Sequence, residues 1–242
     1  MAVVVAVVVA EVVVVAMMAA VVAPGRDRPP AAAGAAHYTA GLSPVFRPSL
    51  GAHDPMALKS TVYKAQLQIA DMDRQLYADH ALTLARHPSE TDERMMMRLL
   101  AFALAVPADD LSGALVFAAG LSDTGEPDLW QKDLTGEIVQ WIEVGQPDDR
   151  AMAKACGRAG RVRIWAYSSA VPIWWSALAG KVARLSNLEV WQVPAEASRE
   201  LATLAARSMQ LQVTVQEGQV WVGDGQRSVL LEPQVLKADA RR

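Results

Sequence analysis

Apolar and polar residues alternate from Leu58 to Ile69 (LKSTVYKAQLQI), with β-branched residues among them, which predicts a half-buried strand. Asp71–Met72–Asp73 turns the chain, and Tyr77 to Leu84 reads as an antiparallel partner. The period then changes. In HPSETDERMMMRLLAFAL, Ser89 is placed to cap a helix, with Asp92 at its third position and acids crowding the first turn. Glu93 shares a helical face with Met96, Met97, Leu100 and Leu104, so its carboxylate points toward the core or into a cleft. The plainer alternative is a first-turn acid that reaches back to water. Glu90 is spaced to pair with Arg94 one turn later, on the solvated side.

After Asp109–Asp110 the chain is loop-like or irregular up to Glu126. Alternation returns from Glu137 to Gly145. One face carries Glu137, Val139, Trp141 and Glu143, the other Ile138, Gln140, Ile142 and Val144, as in a strand covered on both sides. Pro147 suits the first position of a following helix that ends near Gly157 and Gly160. Strands follow at Arg161 to Tyr167 and Leu188 to Val193, with a short helix at Pro172 to Leu178 and a helical stretch over 195–207. Ser208 to Val215 and Gln219 to Val222 form a hairpin around Glu217–Gly218, and Val229 to Glu232 adds an edge. The series predicts an α/β domain, a mixed β-sheet flanked by helices.

Composition changes this picture at the start of the chain. Residues 1–23 hold only Ala, Val and Met apart from Glu11, and residues 24–55 are rich in Pro, Gly, Ala and Arg. A membrane span would place Glu11 near the bilayer centre at roughly 3 kcal/mol, and no Lys or Arg precedes the run as in a signal peptide. We therefore expect 1–55 to be a low-complexity extension outside the folded unit, from a misassigned start, with a domain over 56–237 and a tail over 238–242. An anchor or targeting segment is the alternative. The net charge of −3 is not that of a dedicated polyanion binder. Cys156 is the only cysteine, which excludes an internal disulfide framework and fits a reducing, cytoplasmic compartment. The four histidines lack zinc spacing, so any metal would be a hard ion on oxygen ligands.

The candidate chemistry gathers in Glu126–Lys154. A Pro127–Asp128 corner, Glu143 near a strand end, and Asp148, Arg150 and Lys154 on the next helix could bind a divalent metal for phosphodiester chemistry, or be ordinary surface charges. An acid near the end of a doubly covered strand is costly unless paired or metal-bound. A serine or cysteine hydrolase is poorly supported, because Cys156 has no paired His and Ser168–Ser169 lack a nucleophile elbow.

ALKSTVYKAQLQIADMDR, LTLARHPSETDERMMMRLLAFAL, WIEVGQPDDRAMAKAC and the later IWW and NLEVWQV resemble, in order, the YaeQ family of bacterial proteins, from Met56 nearly to Lys237. The resemblance implies a variant of the PD-(D/E)XK nuclease fold. On it, Glu93 matches the helix acid, Asp128 the strand acid and Glu143 the Glu of Glu-x-Lys. Position 145 is Gly, so the usual lysine is missing there, and Lys154 on the following helix is the candidate replacement. The implied activity is a nuclease-like protein acting on nucleic acid, with Asp128 and Glu143 holding Mg2+ or Mn2+, Lys154 orienting the attacking water, and Glu93 supporting. Arg158, Arg161 and Arg163 could meet phosphates, or be a helix-end charge cluster and a solvated strand edge. The alternative is a catalytically inactive member of the fold that binds nucleic acid or a protein partner, with the tryptophans at 130, 141, 165, 174, 175, 191 and 221 as stacking or anchoring groups, or as core.

Overall fold

The computed structural model describes residues 60–118, 120 and 125–240. The apolar run and the low-complexity stretch before them lie outside the described residues. No helix among the described residues is long and apolar enough to cross a membrane.

Among the described residues, eleven strands and four helices follow one another, the strands in two mixed sheets rather than the single sheet the sequence suggests. The first sheet has the order β10-β9-β8-β1-β2. Its strands are β1 (Thr61–Asp71), β2 (Leu76–Arg86), β8 (Ser208–Gln216), β9 (Gln219–Gly223) and β10 (Ser228–Leu231). Only the β1–β8 pair is parallel. The alternation along β1 is real, with Ala65, Leu67 and Ile69 buried and Gln66 and Gln68 exposed. The β8–β9 turn falls at Glu217 and Gly218, both with positive φ (54° and 76°), and the Asp73 carboxylate accepts from both of their N–H groups.

The second sheet has the order β11-β7-β6-β5-β4-β3. Its strands are β3 (Leu115–Phe117), β4 (Leu129–Lys132), β5 (Ile138–Val144), β6 (Ala159–Tyr167), β7 (Leu188–Val193) and β11 (Gln234–Lys237). β5, β6 and β7 run parallel; the outer pairs are antiparallel. β3 and β4 lie in or just after the stretch read as loop, and β11 was not anticipated; strands of three or four residues are too short to display a period. After β11, Ala240 donates to the Ser186 carbonyl at 3.0 Å and Asp239 is buried.

Helix α1 (Asp92–Ala105) fills the space between the sheets, and its residues from Met95 to Ala103 are buried on every side. That all-round burial is what a nearly continuous apolar sequence requires. Its cap is Thr91, whose side chain accepts from the Arg94 N–H, and not Ser89, whose hydroxyl is engaged by His87 at 2.6 Å. Helices α2 (Asp149–Cys156) and α3 (Val171–Val182) cover the other face of the second sheet, over Trp141, Val162, Ile164 and Val190. Asp148 caps α2, accepting from Ala151 N–H at 2.7 Å, so the first helical position falls at Asp149 and not at Pro147. Helix α4 (Ala195–Ala202) packs on α1 and stops several residues before the predicted 207.

Candidate functional site

β5 ends at Val144 with both of its faces buried, and the chain turns sharply at Gly145 with φ +127°. Beside this end, the residue before β4 is Asp128, which is 2% exposed. Its backbone joins the ladder through Asp128 N–H to the Ile142 carbonyl, and its Oδ2 accepts from Val144 N–H at 2.8 Å. Gly120 packs on the same carboxylate so closely that a Cβ there would meet Oδ1 at 2.8 Å. The Pro127–Asp128 corner is therefore fixed from three sides.

The first turns of α1 supply the counter-charges. Arg94 Nη2 lies 2.8 Å from Asp128 Oδ1 and 2.9 Å from Oδ2. Arg94 Nη1 donates to Glu90 Oε1 at 3.1 Å, and Arg98 Nη1 reaches both oxygens of Glu90. Glu90 and Arg94 do pair, as their spacing predicts, but Glu90 is 4% exposed. The pair is buried, not solvated, because the sheets close over the start of α1. Arg98 Nε stands 3.6 Å from Asp128 Oδ1, too far for a hydrogen bond, and that nitrogen and that oxygen are left without hydrogen-bond partners.

Glu143 projects on the opposite face of β5 from Ile142, and its Oε1 accepts from Trp141 Nε1 at 2.8 Å. Glu93 is half-buried at the head of α1 and accepts from the Ser198 hydroxyl of α4 at 2.6 Å. Burial pushes the Asp128 carboxyl above its ordinary range, against the pull of Arg94, the Val144 N–H and Arg98. Burial raises Glu143 too, the Trp141 bond opposing it and the Asp128 charge adding to it. Tyr167, at the end of β6, is pushed up to about 12 by burial and senses Arg94, Glu93, Asp128 and Glu90 together. The tertiary structure thus brings Glu93, Asp128 and Glu143 into one electrostatic neighbourhood, with Glu90, Arg94, Arg98 and Tyr167.

Lys154 forms no ion pair with them among the described residues. It is exposed on α2, away from the buried Met152 and Ala155. Nor is Gly145 an accidental gap. Space around it is open, but its positive φ is one that side-chain-bearing residues rarely adopt, so a lysine there is opposed by the backbone. Among the described residues, no three His, Cys, Asp or Glu side chains are grouped to hold a metal ion. With Arg94 against both oxygens of Asp128, the donors as arranged do not fit Mg2+ or Mn2+.

The basic residues divide. Arg163 is half-buried on Glu189 and Gln140, and Arg161 pairs with Glu189 at 3.2 Å and Asp239 at 3.7 Å, so both have carboxylate partners within the protein. Arg158 stays exposed with its guanidinium over the Trp141 ring at 4.9 Å. Trp141 meets Trp130 edge-on at 6.4 Å, and the Lys132 ammonium sits 3.3 Å over Trp130. Arg150, Lys154 and Arg158 follow at four-residue spacing. The sequence reading missed Arg94 and Arg98 as members of the site. Their signal was the Glu90, Arg94, Arg98 spacing, which brings buried charges onto one face.

The profile of the YaeQ protein family matches residues 56–233. The YaeQ protein of Salmonella typhi is 44% identical over 178 residues, covering 73% of this chain and 96% of that relative. The Escherichia coli YaeQ protein is 43% identical over 175 residues, 72% of this chain and 94% of its own length. Crystal structures of YaeQ proteins from Xanthomonas axonopodis pv. citri and Pseudomonas syringae superpose with TM-scores of 0.70 and 0.69. Their identities are 46% and 36%, and they cover 74% and 75% of this chain and 99% and 98% of theirs.

Proposed function

The chain belongs to the YaeQ protein family, and from that premise we propose that it is a nuclease-like protein of the PD-(D/E)XK type that binds nucleic acid without hydrolysing it in this arrangement. One observation carries the reading: Arg94 stands 2.8 and 2.9 Å from the two oxygens of Asp128, where a catalytic cation would have to sit. The guanidinium supplies the positive charge beside the buried carboxylate that a cation would otherwise supply. Binding is assigned to the aromatic and basic strip of Lys132, Trp130 and Arg158, extended by Arg150 and Lys154 on α2. Lys132 lies over Trp130, and Trp130 and Arg158 lie against the buried Trp141. Such a strip suits phosphates along its cations and a base against Trp130, in a protein whose overall charge is slightly negative.

Fluorescence anisotropy with a labelled 20-nucleotide single strand at low and moderate salt tests the reading. Lys132→Ala with Arg158→Ala should weaken binding by about tenfold or more and flatten its salt dependence. Mg2+ and Mn2+ enter as competitors of Arg94: Arg94→Ala should bind Mn2+ by calorimetry where the wild type does not. Cleavage of the same strand by the wild type in Mn2+, lost in Asp128→Asn and Glu143→Gln, would overturn the non-hydrolytic reading and restore the metallonuclease.

A further inference from the structure

The first sheet ends on β2. The other sheet edges, β10, β3 and β11, have four, three and four residues, whereas β2 has eleven. Its register against β1 runs unbroken from Leu76 to Arg86, with no bulge, proline or lysine to blunt the edge. The alternation of the backbone decides which of its groups are free. Lys64 N–H donates to the Arg207 carbonyl and Met72 N–H to the Val215 carbonyl, so the even residues of β1 turn toward β8 and the odd ones toward β2. Ala65 pairs with Leu82 and Leu67 with His80, so the even residues of β2 bond to β1. Tyr77, Asp79, Ala81, Thr83 and Ala85 therefore turn their N–H and C=O groups outward. All five residues are exposed, and among the described residues these groups have no backbone partner.

Such a row is completed by another extended strand, and β2 itself says which. Ala81 is the middle of the strand, so a second β2 laid antiparallel about a dyad through Ala81 sets every outward residue opposite an outward residue. Tyr77 then faces Ala85, which leaves room for the ring, and Asp79 faces the Thr83 hydroxyl, a donor to its carboxylate. Lys64 lies beside Thr83 in the β1–β2 register, and Gln68 beside Asp79. Each row across the seam reads Lys64 and Thr83, then Asp79 and Gln68 of the second copy, all on the exposed outer face. On the face toward α1, Leu76 meets Arg86, Ala78 meets Leu84 and His80 meets Leu82. No two like charges oppose one another, and the half-buried Ala78, His80 and Leu82 gain cover from the second copy.

We infer that the protein pairs with a second copy of itself through β2, antiparallel about Ala81, joining two five-stranded sheets into one continuous sheet. The seam holds about ten backbone hydrogen bonds, two for each outward pair. A second copy fits better than a foreign peptide because the symmetry supplies all the matching side chains at once. The seam is independent of the nucleic-acid reading and uses none of the residues assigned to it.

Sedimentation equilibrium of the full chain, from micromolar to hundreds of micromolar, should show a monomer–dimer equilibrium. Ala81→Pro deletes an outward N–H without touching the β1 ladder and should abolish the dimer. Thr83→Asp sets a carboxylate against Asp79 of the second copy and should weaken the dimer by about tenfold or more. Adding Asp79→Lys restores opposite charges across the seam and should recover the dimer. Amide exchange reads the register: slowing with protein concentration should fall on the Tyr77, Asp79, Ala81, Thr83 and Ala85 N–H groups and spare Ala78, His80 and Leu82, already bonded to β1. A wild type that stays monomeric at hundreds of micromolar overturns the seam and leaves the β2 edge to another segment. A dimer that Thr83→Asp does not weaken, or that Asp79→Lys does not recover, overturns it too. Should Ala81→Pro fail to fold, the charge swap decides alone.

Discussion

Two buried arginine–carboxylate clusters occupy this protein, and they are built to opposite ends. Across the second sheet, Gln131, Gln140, Arg163 and Glu189 join in a row, with Arg161 and Asp239 beyond. Gln131 is anchored on the Ser112 and Gly113 carbonyls, and Gln140 also reaches the Ala105 carbonyl at the end of α1. Two arginines meet two acids and two amides bridge the rest, so the row is closed and close to neutral. The cluster at Asp128 also sets Arg94 and Arg98 against Glu90 and Asp128, but Glu93 and Glu143 adjoin it and tip the balance to the negative. Its Arg98 Nε and Asp128 Oδ1 meet only as an ion pair at 3.6 Å, without a hydrogen bond between them. A closed row ties its strands to Asp239, whereas the Asp128 cluster is left with an excess of acids.

Removing single charges separates the two. Although burial opposes the charge of Asp128 as it does that of Glu143, Asp128→Asn also strips the buried Arg94 and Arg98 of a counter-charge, and urea unfolding should report a loss of about 3–5 kcal/mol. A loss below about 1 kcal/mol would mean the Asp128 cluster is effectively solvated. Gly145→Lys, which restores the residue that the nuclease pattern expects, should cost about 1–3 kcal/mol through the positive φ, read as a lower thermal midpoint. Glu189→Gln in the closed row should cost about 1–3 kcal/mol in the same urea assay, because Arg161 keeps Asp239 and Arg163 keeps Gln140. A cost as large as that of Asp128→Asn would erase the distinction.

The smallest effect has the opposite sign. Glu143 has its carboxyl raised in the folded protein, so the fold prefers its neutral form. Its contribution to stability is present at low pH and is lost as pH rises through the raised folded value. Glu143→Gln keeps an oxygen for the Trp141 N–H and removes the charge. It should raise the melting temperature at pH 7–8, by less than about 1 kcal/mol of stability, and the advantage should vanish near pH 3. A variant less stable at pH 7–8 would show that the Glu143 charge is compensated in the fold.

Much of the frame was legible because its periods are long. The alternation of β1, the apolar run of α1, the two-faced β5 and the Glu217–Gly218 hairpin each repeat a pattern over many residues or use a turn with a narrow backbone requirement. β3, β4 and β11 were illegible, since strands that short draw their definition from the neighbour they pair with. At the site, Glu93, Asp128 and Glu143 were identified as candidates from residue type and family resemblance. Arg94 and Arg98 were not, because on a linear chain an arginine one turn from a glutamate reads as a surface pair.

By itself, then, the sequence determined the family, the α/β class, the elements with a strong period and the acids worth watching. Only the tertiary structure decided what neutralises those acids. Whether an arginine, a lysine or a metal faces a buried carboxylate depends on which helix end the sheets enclose. Closing both sheets over the start of α1 set Arg94 against Asp128 and left Lys154 in water. A charge in low dielectric must be answered by whatever lies within a few ångströms, and that distance is not written along the chain.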